Sequence, residues 1–233
     1  MQYAIAWVRK HWPHIAIGAV AAVLVWLFIA AWVGIARADK PVIVAPVASL
    51  DDVTVKIIIG DGHGSGVIVG NGTLILTAGH VVDAAKDGKV TIRFHDGTQA
   101  EGTVVWAGVQ DDIAIIHIQA PHPAAHVSCD PVGAGVAVEV VGHPYIGDTL
   151  EWAHTFGRVV QVYSDGVKNW PHPLMVIDAA VYFGNSGGPV FDLDGNVIGI
   201  VNAMAGADVG WGTVAPFGFN LTTPTAYICG ILP

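Results

Sequence analysis

From residue 50 onward the sequence alternates between short β-rich runs and turn residues, with almost no helical periodicity. The first half holds VTVKIII (53–59), GVIV (66–69), TLILTA (73–78), KVTIRF (89–94) and IAIIHI (113–118). The second holds VAVEVVG (136–142), GRVVQVY (157–163), LMVIDA (174–179), NVIGIV (196–201) and FGFNL (217–221). Asn71-Gly72, Asp96-Gly97 and Asp194-Gly195 lie between runs, and such pairs accept the positive φ that tight hairpins require. Strands at this spacing, without intervening helices, predict an all-β barrel or sandwich. The proline-rich APHPAAH (120–126) divides the halves as a linker, and only the C-terminal TPTAYICGI (223–231) suggests a short helix. No residue-level repeat relates the halves.

The N-terminus obeys different physics. Residues 15–35 run for 21 positions without a charge. As a helix at about 1.5 Å per residue they span roughly 31 Å, matching a hydrocarbon core of about 30 Å. Arg9 and Lys10 precede the segment, and Trp7, Trp12 and Trp32 stand where interfacial aromatics lie. The expectation is a cytoplasmic segment (1–14), a membrane anchor (15–36), an extended tether (37–47) and a domain from residue 48 to 233 outside the cytoplasm. The alternative is a signal peptide cleaved after Ala38, although its apolar region exceeds the usual 7–15 residues. Either reading exports the domain.

The formal charge is −9, and the 10 basic residues are scattered, so the sequence shows no basic stripe and gives no reason to expect a nucleic-acid partner. Cys129 and Cys229 are too few for a disulfide scaffold and lack zinc-site spacing. They read either as two buried small hydrophobes or as a single bridge, and compartment decides between these. His122, His126 and His143 lack a completing cysteine or carboxylate, and Pro121 and Pro123 argue against a helix presenting His122 and His126 together. Neither a metal nor another cofactor is expected.

Three motifs carry chemistry. LTAGHVV (76–82) places His80 after a β run, DDIAII (111–116) places Asp112 before an apolar strand, and GNSGGP (184–189) places Ser186 in a glycine-rich turn. Acyl transfer from a peptide needs a base to deprotonate a hydroxyl, a carboxylate to orient that base, and N–H donors for the oxyanion. Each motif alone has a duller explanation, but their conjunction in a β context is specific.

With these motifs the chain resembles the trypsin/chymotrypsin family, and most its bacterial HtrA-type branch, over about residues 50–227. GSGVIV (64–69), VVGHP (140–144), DAAVYFGNSGGPV (178–190), DLDGNVIGIV (192–201) and FGFNLTTP (217–224) carry the likeness. It implies two six-stranded antiparallel barrels, at about 48–122 and 129–221, followed by the short helix at 223–231. It further implies Ser186 as nucleophile, His80 as general acid/base, and Asp112 rather than Asp111 as the orienting carboxylate. The amides of Gly184 and Ser186 would form the oxyanion hole. Ala180 would be the base of the primary specificity pocket, with walls from 201–203 and about 210–219. Some trypsin relatives bridge the linker to the terminal helix, so an exported domain would join Cys129 to Cys229. Two departures stand out: no PDZ domain is expected after residue 233, and Asn185 replaces the aspartate that zymogen-type relatives use to receive a new N-terminus. The expected activity is that of a membrane-tethered serine endopeptidase on polypeptide substrates, located at the inner membrane with its domain periplasmic. A catalytically idle peptide-binding relative is the alternative.

Overall fold

The computed structural model describes residues 49–145, 151–167, 170–208 and 214–231. The apolar segment 15–35 and the tether 37–47 lie outside the described residues. Among the described residues no helix is long and apolar enough to cross a membrane.

A four-residue helix α1 (Leu50–Val53), capped by Ser49, leads into six strands: β1 (Thr54–Ile59), β2 (Gly62–Val69), β3 (Leu74–Thr77), β4 (Lys89–Arg93), β5 (Gln99–Gly108) and β6 (Ile113–Ile118). A single helical turn, α2 (Gly79–Val82), follows β3. The six strands close into a barrel in the order β1-β2-β3-β6-β5-β4, all neighbours antiparallel. The second barrel comprises β7 (Ala137–Gly142), β8 (Ala153–Tyr163), β9 (Leu174–Ile177), β10 (Pro189–Phe191), β11 (Val197–Asp208) and β12 (Val214–Pro224), closed as β7-β8-β9-β12-β11-β10. The two barrels therefore share one strand order, and helix α3 (Thr225–Ile231) ends the domain.

Three clusters of buried side chains hold this arrangement. Val55, Ile68, Ile92 and Ile116 are among those filling the first barrel, and Val140, Met175, Ile177 and Val190 among those filling the second. The third forms the seam between barrels, where Val67, Leu76, Ile113 and Ile115 meet Val141, Phe191, Ile200 and Ile228. Each such aliphatic side chain contributes roughly 1.5–3 kcal/mol when fully buried. The seam explains why β6 is apolar at nearly every position. Ala114, Ile116 and Ile118 point into the barrel, while Ile113 and Ile115 face the neighbour.

Two strands had no counterpart among the expected runs. β5 contains Gly102 and alternates between exposed and partly buried positions, so it lacks a continuous apolar signal. β10 is only three residues long and directly follows the GNSGG turn. The proline-rich linker is more ordered than its composition suggests. Ala125 N donates to Ile68 O (2.8 Å) on one barrel, and Val197 N donates to His126 O (2.8 Å) on the other. Cys129 and Cys229 are joined by a disulfide, with Cα atoms 5.9 Å apart, which clips α3 to the end of this linker. Closing a loop of about 100 residues is worth up to about 4–5 kcal/mol on a chain-entropy basis.

Candidate active site

The site assembles where the barrels meet. His80 lies in α2, Asp112 in the turn between β5 and β6, and Ser186 in the turn before β10. An open cleft of about 470 Å³ is lined by His80 and Ser186 together, with Val81, Phe183 and Gly184.

Asp112 sits in left-handed backbone (φ 50°), a conformation that short polar residues tolerate best. Its carboxylate accepts from the His80 backbone N–H (2.8 Å to Oδ1) and lies 3.0 and 2.9 Å from His80 Nδ1. A carboxylate can only accept, so Nδ1 carries the proton and Nε2 is left as the unprotonated nitrogen of the neutral ring. The hydrogen bond to Asp112 raises the His80 pKa above its ordinary value, against the opposing effect of burial. Burial pushes the Asp112 carboxyl up, but hydrogen bonds from His80 and Asn202 outweigh it and hold the group below the usual carboxylate range. The neighbouring Asp111 is engaged elsewhere, accepting from the Tyr227 hydroxyl of α3. That bond, with burial, pushes the Tyr227 phenol up to about 12.

Asn202 belongs to this site, although the sequence marked it only as a pocket wall. Its Nδ2 donates to both Asp112 Oδ2 and Asp112 O (2.9 Å each). Its Oδ1 accepts from Thr223 N and Thr223 Oγ1 (2.8 Å each), which prevents the amide from turning over. The available signal was a single polar residue directly after the apolar run NVIGIV (196–201), and the structure leaves it only 3 % exposed.

Gly187 shapes the turn after Ser186. It has φ 81°, and a Cβ there would stand 2.1 Å from Thr77 Oγ1, so only glycine fits. Among the described residues, neither the Gly184 nor the Ser186 amide donates to a protein acceptor, whereas Asn185 N between them donates to Tyr182 O (3.0 Å). The Asn185 side chain is buried, and its amide has no partner among the described residues. Ala180 is exposed, and its carbonyl accepts from Thr155 Oγ1 (2.6 Å). Of the expected pocket walls, 201–203 lie in β11, while 209–213 fall outside the described residues.

Comparison with known proteins agrees with this architecture. The chain is 34 % identical over 164 residues to a putative serine protease HhoA of Synechocystis sp., covering 66 % of this chain and 40 % of the relative. It is 35 % identical over 158 residues to a probable periplasmic serine endoprotease, DegP-like, of Brucella suis, covering 64 % of this chain and 29 % of that one. The periplasmic pH-dependent serine endoprotease DegQ of Escherichia coli is 31 % identical over 165 residues, covering 67 % of this chain and 35 % of the relative. The chain thus spans well under half the length of these curated relatives. Among solved structures, a serine endoprotease from Yersinia pestis superposes with a TM-score of 0.64 at 23 % identity, covering 78 % of this chain and 61 % of that one. An HtrA-type protease, AlgW with a tripeptide, gives 0.66 at 22 % identity, covering 78 % and 59 %. At these identities the structures speak to fold alone. Residues 64–200 match the sequence profile of the trypsin-like peptidase domain, and with both barrels closed around that span, the chain belongs to the trypsin-like peptidase family.

Proposed function

We propose that this chain is a serine endopeptidase of the HtrA type. Ser186 Oγ attacks the scissile carbonyl, and His80 Nε2 takes the hydroxyl proton and later delivers it to the leaving amine. Asp112 holds the Nδ1–H tautomer and stabilises the imidazolium, and the amides of Gly184 and Ser186 receive the oxyanion. The observation that carries this reading is the His80 ring, fixed through Nδ1 by Asp112 and bordering the same cleft as Ser186. Among the described residues the Ser186 hydroxyl makes no hydrogen bond. Its pairing with His80 is the contact left to form with substrate, as catalytic hydrogen bonds often tighten only then. Ala180, as the base of the primary pocket, offers no carboxylate to a substrate Lys or Arg. A Lys or Arg bound there would shed water without gaining an ion pair, so cleavage after small or medium apolar residues is favoured. With Asn185 in place of an acid, activity needs no newly cleaved N-terminus.

The apolar segment 15–35 supports a membrane-tethered domain acting outside the cytoplasm, in line with the periplasmic relatives. The expected behaviour is retention in the membrane fraction after a high-salt wash and release by detergent. A soluble mature form beginning at Asp39 would establish signal-peptide cleavage instead.

Peptide-library digestion should show cleavage after Ala, Val or Leu, with Ser186→Ala and His80→Ala folded but nearly inert. Asp112→Asn should lose about 10⁴-fold in kcat, because the wrong imidazole tautomer results, whereas Asp111→Asn should lose little. Strong cleavage after Lys or Arg would refute the pocket assignment, and equal losses at the two aspartates would refute the choice of carboxylate.

The base must be unprotonated, so kcat/KM should rise with pH. Because Asp112 raises the His80 pKa, the midpoint should lie above the ordinary value of about 6.5. A rate that is flat from pH 5 to 8 would contradict a histidine base.

A further inference from the structure

The turn that carries Ser186 is pinned through its carbonyls. Phe183 O accepts from Tyr145 N (2.6 Å), Asn185 O from Gly188 N (2.9 Å) and Ser186 O from Ser65 N (2.8 Å). Gly184 O accepts from the Ser65 hydroxyl (2.8 Å). In a trans peptide the N–H points opposite to the carbonyl of the same plane, and the described residues contain no cis peptide. Each pinned carbonyl therefore aims the following amide the other way, which leaves the Gly184 and Ser186 amides without protein acceptors. The pins on Phe183 O and Asn185 O, which aim those two amides, come from backbone. The peptide between Gly184 and Asn185, lying between them, is held by backbone at its amide edge, where Asn185 N donates to Tyr182 O (3.0 Å), and by a side chain at its carbonyl edge.

At that carbonyl edge the plane has no backbone donor among the described residues, so the Ser65 hydroxyl is its restraint there. Gly184 has φ 94°, and a Cβ there would lie 2.2 Å from His143 O, so the position must be glycine and lacks the steric barrier that limits rotation elsewhere. Ser65, in β2 of the first barrel, is itself tightly held. It is fully buried, and its Oγ accepts from His143 N (3.0 Å) and lies 3.1 Å from His143 Nδ1. Its one proton goes to Gly184 O, so the ring nitrogen must be the donor. The hydroxyl then donates once and accepts twice, its full capacity. Burial drives the His143 pKa down to about 3, so the ring stays neutral throughout the working range. Its Nε2 is buried without a partner among the described residues, and the imidazole stands edge-on to the Trp152 ring, with ring centroids 4.6 Å apart. His63 Nε2 donates to His143 O (2.8 Å) and completes the chain of contacts.

We propose that Ser65 is a positioning residue for acyl transfer: supported by His143, its hydroxyl holds the Gly184–Asn185 peptide so that the flanking amides stay aimed at the oxyanion. The inference rests on the serine-endopeptidase reading and deepens it. Neither residue touches the reacting atoms, so the effect belongs to the transition state and leaves substrate binding unchanged.

The test is steady-state kinetics of Ser65→Ala and His143→Phe, together with the affinity of a peptide aldehyde that forms a tetrahedral adduct on Ser186. Ser65→Ala should lower kcat about 10–100-fold at nearly constant KM and weaken the aldehyde by a similar factor. His143→Phe keeps a planar aromatic ring while removing the Nδ1–H donor and the partnerless Nε2 together. It should lower kcat about fivefold, the worth of one hydrogen bond, in a chain that still folds. A folded Ser65→Ala chain with wild-type kcat and aldehyde affinity, or a loss confined to KM, overturns the proposal. If Ser65→Ala fails to fold, an unchanged kcat in His143→Phe overturns it. A wild-type chain that neither cleaves peptides nor reacts with a fluorophosphonate overturns the endopeptidase reading itself, which the wild-type control separates from failure of Ser65 alone.

Discussion

The Asp112 carboxylate is the point on which the arrangement turns. It is presented by a left-handed residue in a first-barrel turn, yet its donors come from both barrels: the His80 backbone and ring from the first, and Asn202 from the second. Because Thr223 locks the Asn202 amide, the contact at Asp112 Oδ2 is always a donor and never a repelling carbonyl. One carboxylate thereby fixes the tautomer of the histidine and joins the barrel carrying the base to the barrel carrying the serine. A site divided between two bodies needs such a tie, since a displacement of about 1 Å costs roughly 100-fold in rate when reacting groups must be aligned.

The tie can only be as rigid as the seam beneath it. The apolar contact of Leu76, Ile113 and Ile115 with Val141, Phe191 and Ile200 lies directly under the strands that deliver His80, Asp112 and Ser186. Hydrogen bonds then cross it at separate points, including Ser65 N to Ser186 O (2.8 Å) and Trp152 Nε1 to Thr54 O (3.0 Å). The linker bridges strands of both barrels, and the disulfide fastens α3 where that linker ends. The seam, the linker and the bridge act on the relative placement of the two barrels, which is the quantity the chemistry depends on.

Much of this was legible in the sequence because the informative residues are local. Tight turns need Gly or Asn at set positions, barrel interiors need β-branched runs, and GNSGGP and TAGH are contiguous. β5 escaped because a strand with one face toward solvent and a central glycine resembles a loop, and β10 because three residues carry no period. The common strand order of the barrels left no residue-level repeat, since closure constrains alternation rather than identity. Asn202, Ser65 and His143 escaped for a different reason. Their partners are 90, 119 and 78 positions away in the chain, and a single buried polar residue does not announce which group it satisfies.

The central claim is that Ser186 of one barrel becomes acylated with the help of His80 from the other. Rapid quenching of the reaction with an activated ester, followed by mass spectrometry of the digested protein, tests it most directly. The expected result is a burst of product equal to the enzyme concentration, with the acyl group on the peptide containing Ser186 and on no other. Steady turnover without a burst that persists in Ser186→Ala, or an acyl group carried elsewhere, would contradict it.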